Sequence, residues 1–337
     1  MTSSDHAQMG SSAPSAPNRR GLAQRIADRV GVHNISLIFA LIVLCIIFGT
    51  LRGDVFFSSR NILNIGLAVT ILGVLAMSQT VVIVAGGLDV SVGSTVGFAT
   101  VATAMVAQST GSAAVAVVAG LLIGAACGLV NGIIITYGRV NAVIATLGTM
   151  AIFRGVAFIL SDGQSISIFD ETFRFMGNGR VLGFPFPIWI LFVTAVLFQI
   201  FLSRSIAGRN VYAIGGNPVV ARFSGINVNR YRVAIYIMSG FAAGLGGIIL
   251  AARTGSGQPI SGSQGLELEA ITAAVLGGCA LQGGRGTIVG ALLGVLIIGV
   301  LNNGMILTAV PTFYQLLAKG ALLILAVLVA EYRLNRA

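Results

Sequence analysis

Few side chains in this 337-residue chain could do covalent chemistry. Both histidines, His6 and His33, precede the long apolar stretches, so no imidazole base stands in the core. Neither G-x-S-x-G nor H-E-x-x-H occurs, which removes the common hydrolase and zinc-protease arrangements. Lys319 is the only lysine and lies between Ala318 and Gly320, so a Walker A phosphate loop is excluded. Cys45, Cys127 and Cys279 are far apart in apolar surroundings and read as small hydrophobes, without metal or disulfide spacing. The expectation is a chain with no catalytic residue, no metal and no cofactor of its own.

Binding and transmission remain. The run GGLDVSVG places a carboxylate, Asp89, at a glycine-rich break between two apolar stretches, where a charge is costly unless capped, paired or wet. Asp89 could cap the next helix through the amides of Ser91 and Val92, or touch a solute. Gln79, Asn131, Asn302, Asn303 and Gln315 are neutral hydrogen-bonding groups in apolar surroundings, suited to hydroxyl-rich solutes and equally to joining helices. We carry Gln79, Asp89, Ser91, Asn131, Asn302 and Asn303 as candidates for a path or gate. A second break, LGGCALQGGRG at 276–286, lets the backbone turn sharply, and Glu267 and Glu269 head the apolar stretch before it, where acidic groups suit a helix N-terminus.

The most informative polar stretch is residues 203–232, an island with five arginines and no carboxylate between two apolar runs. Such a basic excess marks a cytoplasmic loop. Within it, Gly215 and Gly216 lead to Asn217, an N-cap type, then to Pro218 at the first helical position, and Gly225 stands where a left-handed terminator belongs. The spacing predicts a two-turn helix. A helix that short needs a packing surface, and Val219, Val220 and Phe223 fall on neighbouring faces, with Ala221, Arg222 and Ser224 between and beside them.

These pieces must be held by membrane helices. With 56% hydrophobic and 9% charged residues and a mean hydropathy of +0.95, the chain is an all-α polytopic membrane protein, its apolar runs continuous where a β-barrel would alternate. Ten spans are legible, at 35–51, 61–85, 93–108, 113–135, 142–160, 188–202, 233–251, 266–281, 287–307 and 313–332, some broken at the glycine-rich segments. Residues 1–33 read as a cytoplasmic tail, disordered to about 18 and then basic and amphipathic, leading to a first span that acts as an uncleaved anchor. Residues 34–332 form the transmembrane domain, with the loop 203–232 inside the cell and 333–337 as a cytoplasmic C-terminus. Only Arg52, Arg60, Arg174, Arg180 and Arg253 fall on the outer side, against thirteen basic residues inside, so the net charge of +10 is topological bias and implies no nucleic acid. A short internal repeat aligns Gly93, Ser94 and Gly97 with Gly286, Thr287 and Gly290.

The runs GGLDVSVG, AIGGNPVVARFSGINVNRYR, LELEAITAAVLGG and LQGGRGTIVGALLGVLIIGVLNNG occur in that order between residues 61 and 331. Together they resemble the ribose-type permease family of ABC sugar importers. Cys279, where relatives often carry a hydroxyl, and the N-terminal tail depart from the pattern. The resemblance implies a monosaccharide importer of the bacterial inner membrane, a second permease copy, and a periplasmic or lipid-anchored sugar-binding protein. It also implies a cytoplasmic tandem-domain ATPase that holds ATP and magnesium, with the segment around Gly215 to Ile226 as its coupling helix. Two other readings stand beside it. One is an ion-coupled secondary transporter using Asp89, Arg154 or Lys319; the other is an ABC permease for a different small polar solute, such as a sugar-like signal or a branched-chain amino acid.

Overall fold

The computed structural model describes residues 32–260 and 262–334. The tail expected at 1–33 lies almost wholly outside those residues, as does most of the C-terminal segment expected at 333–337.

Thirteen helices and four two-residue strands make up the described chain. In order they are α1 (Val32–Phe56), α2 (Ser59–Val84), α3 (Val92–Thr110), α4 (Ala113–Thr136), α5 (Ala142–Ser161), β1 (Ile166–Ser167), α6 (Glu171–Asn178), β2 (Arg180–Val181), β3 (Phe184–Pro185), α7 (Phe186–Arg204), α8 (Ile206–Gly216), α9 (Pro218–Phe223), α10 (Val228–Thr254), β4 (Ser256–Gly257), α11 (Leu266–Leu276), α12 (Ile288–Leu307) and α13 (Thr312–Leu334). All ten expected spans correspond to helices, but among the described residues seven are both long and apolar enough to cross a membrane alone: α1, α2, α4, α5, α7, α10 and α12. Helix α3 is long enough but rich in Ser, Thr and Gly, a composition suited to an interior position.

The eighth span differs most from expectation. Its helix stops at Leu276 and covers 11 residues, about 16 Å at 1.5 Å per residue, roughly half the hydrocarbon core. A two-residue β segment, then bends and turns, precede it and lie along α3. Gln258 bonds to Thr100 through both its N–H (3.0 Å) and its carbonyl (2.7 Å), and Pro259 and Ser263 pack where Gly97 and Gly93 leave room. Thr100 thus satisfies main-chain groups that water would satisfy elsewhere. The polar run TGSGQPISGSQG ahead of Leu266 was the available signal.

Helix α2 is the central post, with 89% of its apolar window buried, while α1 on the rim has 11%. Its partners come close because their contact faces lack side chains. Along α4, Gly124 and Gly128 meet the backbone of α10 at Gly240, Gly244 and Tyr236, the small-residue packing that membrane helices use where no hydrophobic drive separates helix from lipid. The short internal repeat does not extend to the helix starts. Thr287 caps α12 by accepting from Gly290 N–H at 3.0 Å, whereas Ser94, its counterpart, already lies in the first turn of α3.

The 161–187 connection is ordered by its own cap. Asp170 accepts from the amides of Thr172 (2.8 Å) and Phe173 (3.1 Å), and Phe173 is buried against the end of α10 with Ala252. Two antiparallel ladders, β1–β4 and β2–β3, close the segment, and Trp189 donates to the Val181 carbonyl at 3.0 Å.

Candidate functional site

The two-turn helix expected in the basic island is α9. Asn217 Oδ1 accepts from Val219 N–H at 3.0 Å and Val220 N–H at 3.1 Å, Pro218 occupies the first turn, and Gly225 takes the left-handed conformation with φ of +82°. Only Ala221 of this helix is buried, in a small cluster with Ile214 and Val228. Val219 and Val220 are each 57% exposed and Phe223 is 89% exposed. Arg209, Arg222 and Ser224 are exposed beside them. A helix fixed to its own chain by one alanine and presenting three large apolar groups is shaped to bury them against something else.

The island holds a further helix that the charge pattern concealed. Ser205 Oγ accepts from Gly208 N–H at 2.8 Å and starts α8, which ends at Gly215 and Gly216 directly before the Asn217 cap. At Gly215 a Cβ would collide with the Val84 carbonyl at the end of α2 and crowd the amide of Gly284, which itself donates to Val84 O at 2.8 Å. Gly283 in turn packs on Gly86 and Gly215. Tyr212 of α8 donates to the Gly286 carbonyl at 2.7 Å, and its burial, with Cys279 nearby, raises the phenol above its ordinary value. The end of α8 therefore touches both glycine-rich breaks at once. Sequence reading located each break and the island but not their meeting point, because a three-way backbone contact leaves only scattered glycines.

Asp89 sits at the centre of a buried polar network. Its Oδ1 accepts from Ser91 N–H (3.0 Å), Ser91 Oγ–H (2.7 Å) and Asn131 Nδ2–H (3.5 Å), and its Oδ2 accepts from Ser239 Oγ–H at 2.8 Å. Asn131 also donates to Ser91 Oγ (2.7 Å) and accepts from Thr149 Oγ1–H (2.6 Å). Gln79 Nε2 donates to the Asp89 carbonyl, and Tyr236 Oη donates to the Leu88 carbonyl at 3.1 Å. One carboxylate thus joins the first break to α3, α4 and α10, with α5 attached through Thr149. The cap expected on α3 is realised only at the Ser91 amide; no bond to the Val92 amide forms.

Among the path candidates, Gln79, Asp89, Ser91 and Asn131 are each at most 1% exposed and lie within this network. Asn303 forms a reciprocal amide pair with Asn61, at 2.8 and 3.0 Å, between α2 and α12. Asn302 lies beside Glu269 and Lys319. Two intramembrane ion pairs form among the described residues: Lys319 Nζ donates to Glu269 Oε1 at 2.7 Å, and Arg154 Nη2 stands 3.9 Å from Glu267 Oε1. These pairings across distant sequence positions were not legible from the sequence.

The apolar helices define a polytopic membrane protein, and comparison with known proteins gives its family. The family described as branched-chain amino acid transport system / permease component matches residues 61–327, and the chain belongs to it. It is a non-catalytic membrane subunit of an ABC-type transporter, in line with the missing nucleotide loop. Similar proteins include the L-arabinose ABC transporter permease protein AraH of Azospirillum brasilense, 40% identical over 324 residues, with 95% of this chain and 93% of that protein covered. The ribose import permease protein RbsC is 42% identical over 296 residues in Escherichia coli K12 (87% and 92% covered) and 42% over 290 residues in Bacillus subtilis 168 (86% and 89%). No solved structure matches the chain.

Proposed function

We propose that this permease imports a pentose of the ribose or arabinose type across the bacterial inner membrane, driven by a separate cytoplasmic ATPase that docks on α9. The observation that carries the docking is the exposed face Val219, Val220 and Phe223 on α9, which follows directly on α8, the helix whose end at Gly215 contacts both breaks. The family membership supports a partner that holds ATP and magnesium, and the arabinose and ribose permeases among its relatives support the substrate class.

In this reading both termini and the 203–232 loop are cytoplasmic, 34–332 forms the permease domain, and 161–187 faces a periplasmic or lipid-anchored receptor. A second permease copy completes the unit, supported by the uncovered face of α5, where Gly148 and Gly155 meet nothing within 4 Å. ATP binding draws the ATPase halves together and displaces α9; α8 carries the displacement to Gly86 and Gly283, and the helices beyond exchange outward for inward access. Hydrolysis resets the cycle. Gln79, Asp89, Ser91 and Asn131 then act on the path by holding its walls, while Asn302 and Asn303 lie closer to the outer end of α12.

Phe223→Asp tests the docking. Sugar-stimulated ATP turnover of the assembled complex falls at least tenfold while membrane insertion is unchanged; unaltered coupling would remove α9 from the interface. A panel of receptor-delivered pentoses, hexoses and branched-chain amino acids tests the substrate class, and uptake of an amino acid alone would refute it.

A further inference from the structure

Beneath the first break lies a cavity of about 660 Å³ that none of the roles above uses. Its roof is the main chain of Gly86 and Gly87, and three arginines reach it from three separate elements. Arg139 comes from the turn between α4 and α5, Arg222 from the last turn of α9, and Arg232 from the first turns of α10. Among the described residues, no carboxylate lies within ion-pair distance of any of the three. The turn holds Arg139 in the left-handed region at φ of +54°, a conformation that non-glycine residues adopt at a cost. The inside location of these arginines follows from topology. Their convergence on one hollow does not: with Arg139 and Arg222 exposed and Arg232 half-buried, water screens their repulsion in part, and the positive potential they focus there favours an anion between them.

We infer that this cavity is a binding site for a phosphate group carried by a small hydroxylated molecule or by a lipid headgroup. Guanidinium forks match phosphate oxygens in pairs, and a phosphate monoester brings nearly two negative charges to three positive ones. Thr136, Asn229 and Tyr236 also line the cavity and offer neutral partners for hydroxyls. The volume suits a ligand of sugar-phosphate size. An occupant would bridge α9, α10 and the α4–α5 turn, and so tie the docking helix to the membrane body. That consequence rests on the proposed docking role of α9, whereas the site itself does not.

The test uses the full-length permease alone, in nanodiscs of phosphatidylcholine or of phosphatidylcholine with phosphatidylglycerol. Inorganic phosphate, a pentose 5-phosphate and the free pentose serve as probes in calorimetric titration. In phosphatidylcholine discs both phosphates bind saturably, the sugar phosphate more tightly, and the free pentose does not bind. Arg139→Gln and Arg232→Gln each weaken binding by about tenfold, and the lysine pair at the same positions recovers part of the loss, which separates lost charge from misfolding. Equal binding in both disc types identifies a soluble ligand, and binding blocked by phosphatidylglycerol identifies a headgroup; either result upholds the site.

Absence of saturable phosphate binding in phosphatidylcholine discs, or affinity unchanged in the double glutamine variant, overturns it. Displacement of bound phosphate on adding the nucleotide-free ATPase would give the cavity to an acidic group of that subunit and also overturns it. In the assembled complex, the pentose 5-phosphate slows ATP turnover several-fold in the parent and not in the double glutamine variant; equal turnover would remove the bridging role. Because binding is read without the ATPase, its failure leaves the Phe223 experiment intact, and unaltered coupling in Phe223→Asp leaves this site standing.

Discussion

The two glycine-rich breaks meet at Gly215, yet they are held by opposite means. At 86–91 the chain is fixed by side chains: Asp89 gathers Ser91, Asn131 and Ser239, and Gln79 and Tyr236 bind the adjoining carbonyls. At 277–287 it is fixed by close main-chain approach, Gly277 against Gly290 and Ala291 and Gly283 against Gly86 and Gly215, together with bonds to its main chain from Tyr212 O–H to Gly286 O at 2.7 Å and from Gly284 N–H to Val84 O at 2.8 Å. Directional bonds to a buried carboxylate are strong and resist gradual displacement. Glycine contacts resist bulk, and the bonds that accompany them here involve neutral groups only, with no buried carboxylate. With α8 as the proposed transmitting helix, we propose the first break as the anchor and the second as the joint that moves with α8.

Three substitutions can break or sharpen that assignment. Asp89→Ala has the largest expected effect on stability, roughly 3 kcal/mol or more, because it strands buried donors on three elements together. Thermal melting of the purified permease reads it, and an unchanged midpoint would end the anchor description. Gly215→Val is next, about 2 kcal/mol from overpacking, but its larger signature is functional. Sugar-stimulated ATP turnover should fall well below what the melting shift explains, and intact coupling with a side chain there would place the joint elsewhere. Ser239→Ala is the mildest, about 1 kcal/mol, since Asp89 keeps its other donors. If it cost as much as Asp89→Ala, α10 alone and not the whole network would hold the break.

The parts that local chemistry encodes could be read in advance. Asn217, Pro218 and Gly225 state where α9 begins and ends because each acts on its immediate neighbours. The breaks announce themselves through glycine, and the crossings through length of apolar run. The junctions were not legible, because Asn61 with Asn303, Arg154 with Glu267, and Gly215 with Val84 and Gly284 are contacts between distant positions. Helix α8 was missed although Ser205 before Gly208 offered a cap, since the density of arginine favoured a loop reading. The eighth crossing, helical only over Leu266–Leu276, was misjudged because its apolar run continues past the helix to Leu281.

The eighth crossing also connects two ends of the molecule. The chain leading into it is stitched to the 161–187 segment, where Ile166 and Ser167 pair with Gly257 and Ser256 and Ile168 N–H donates to Gly255 O at 2.8 Å. Its other end runs through Gly277 into the loop that rests on Gly215. In the proposed orientation, a receptor pressing from the periplasm and a nucleotide cycle pulling from the cytoplasm would grip opposite ends of one short run of chain, which offers each side a direct means of sensing the other.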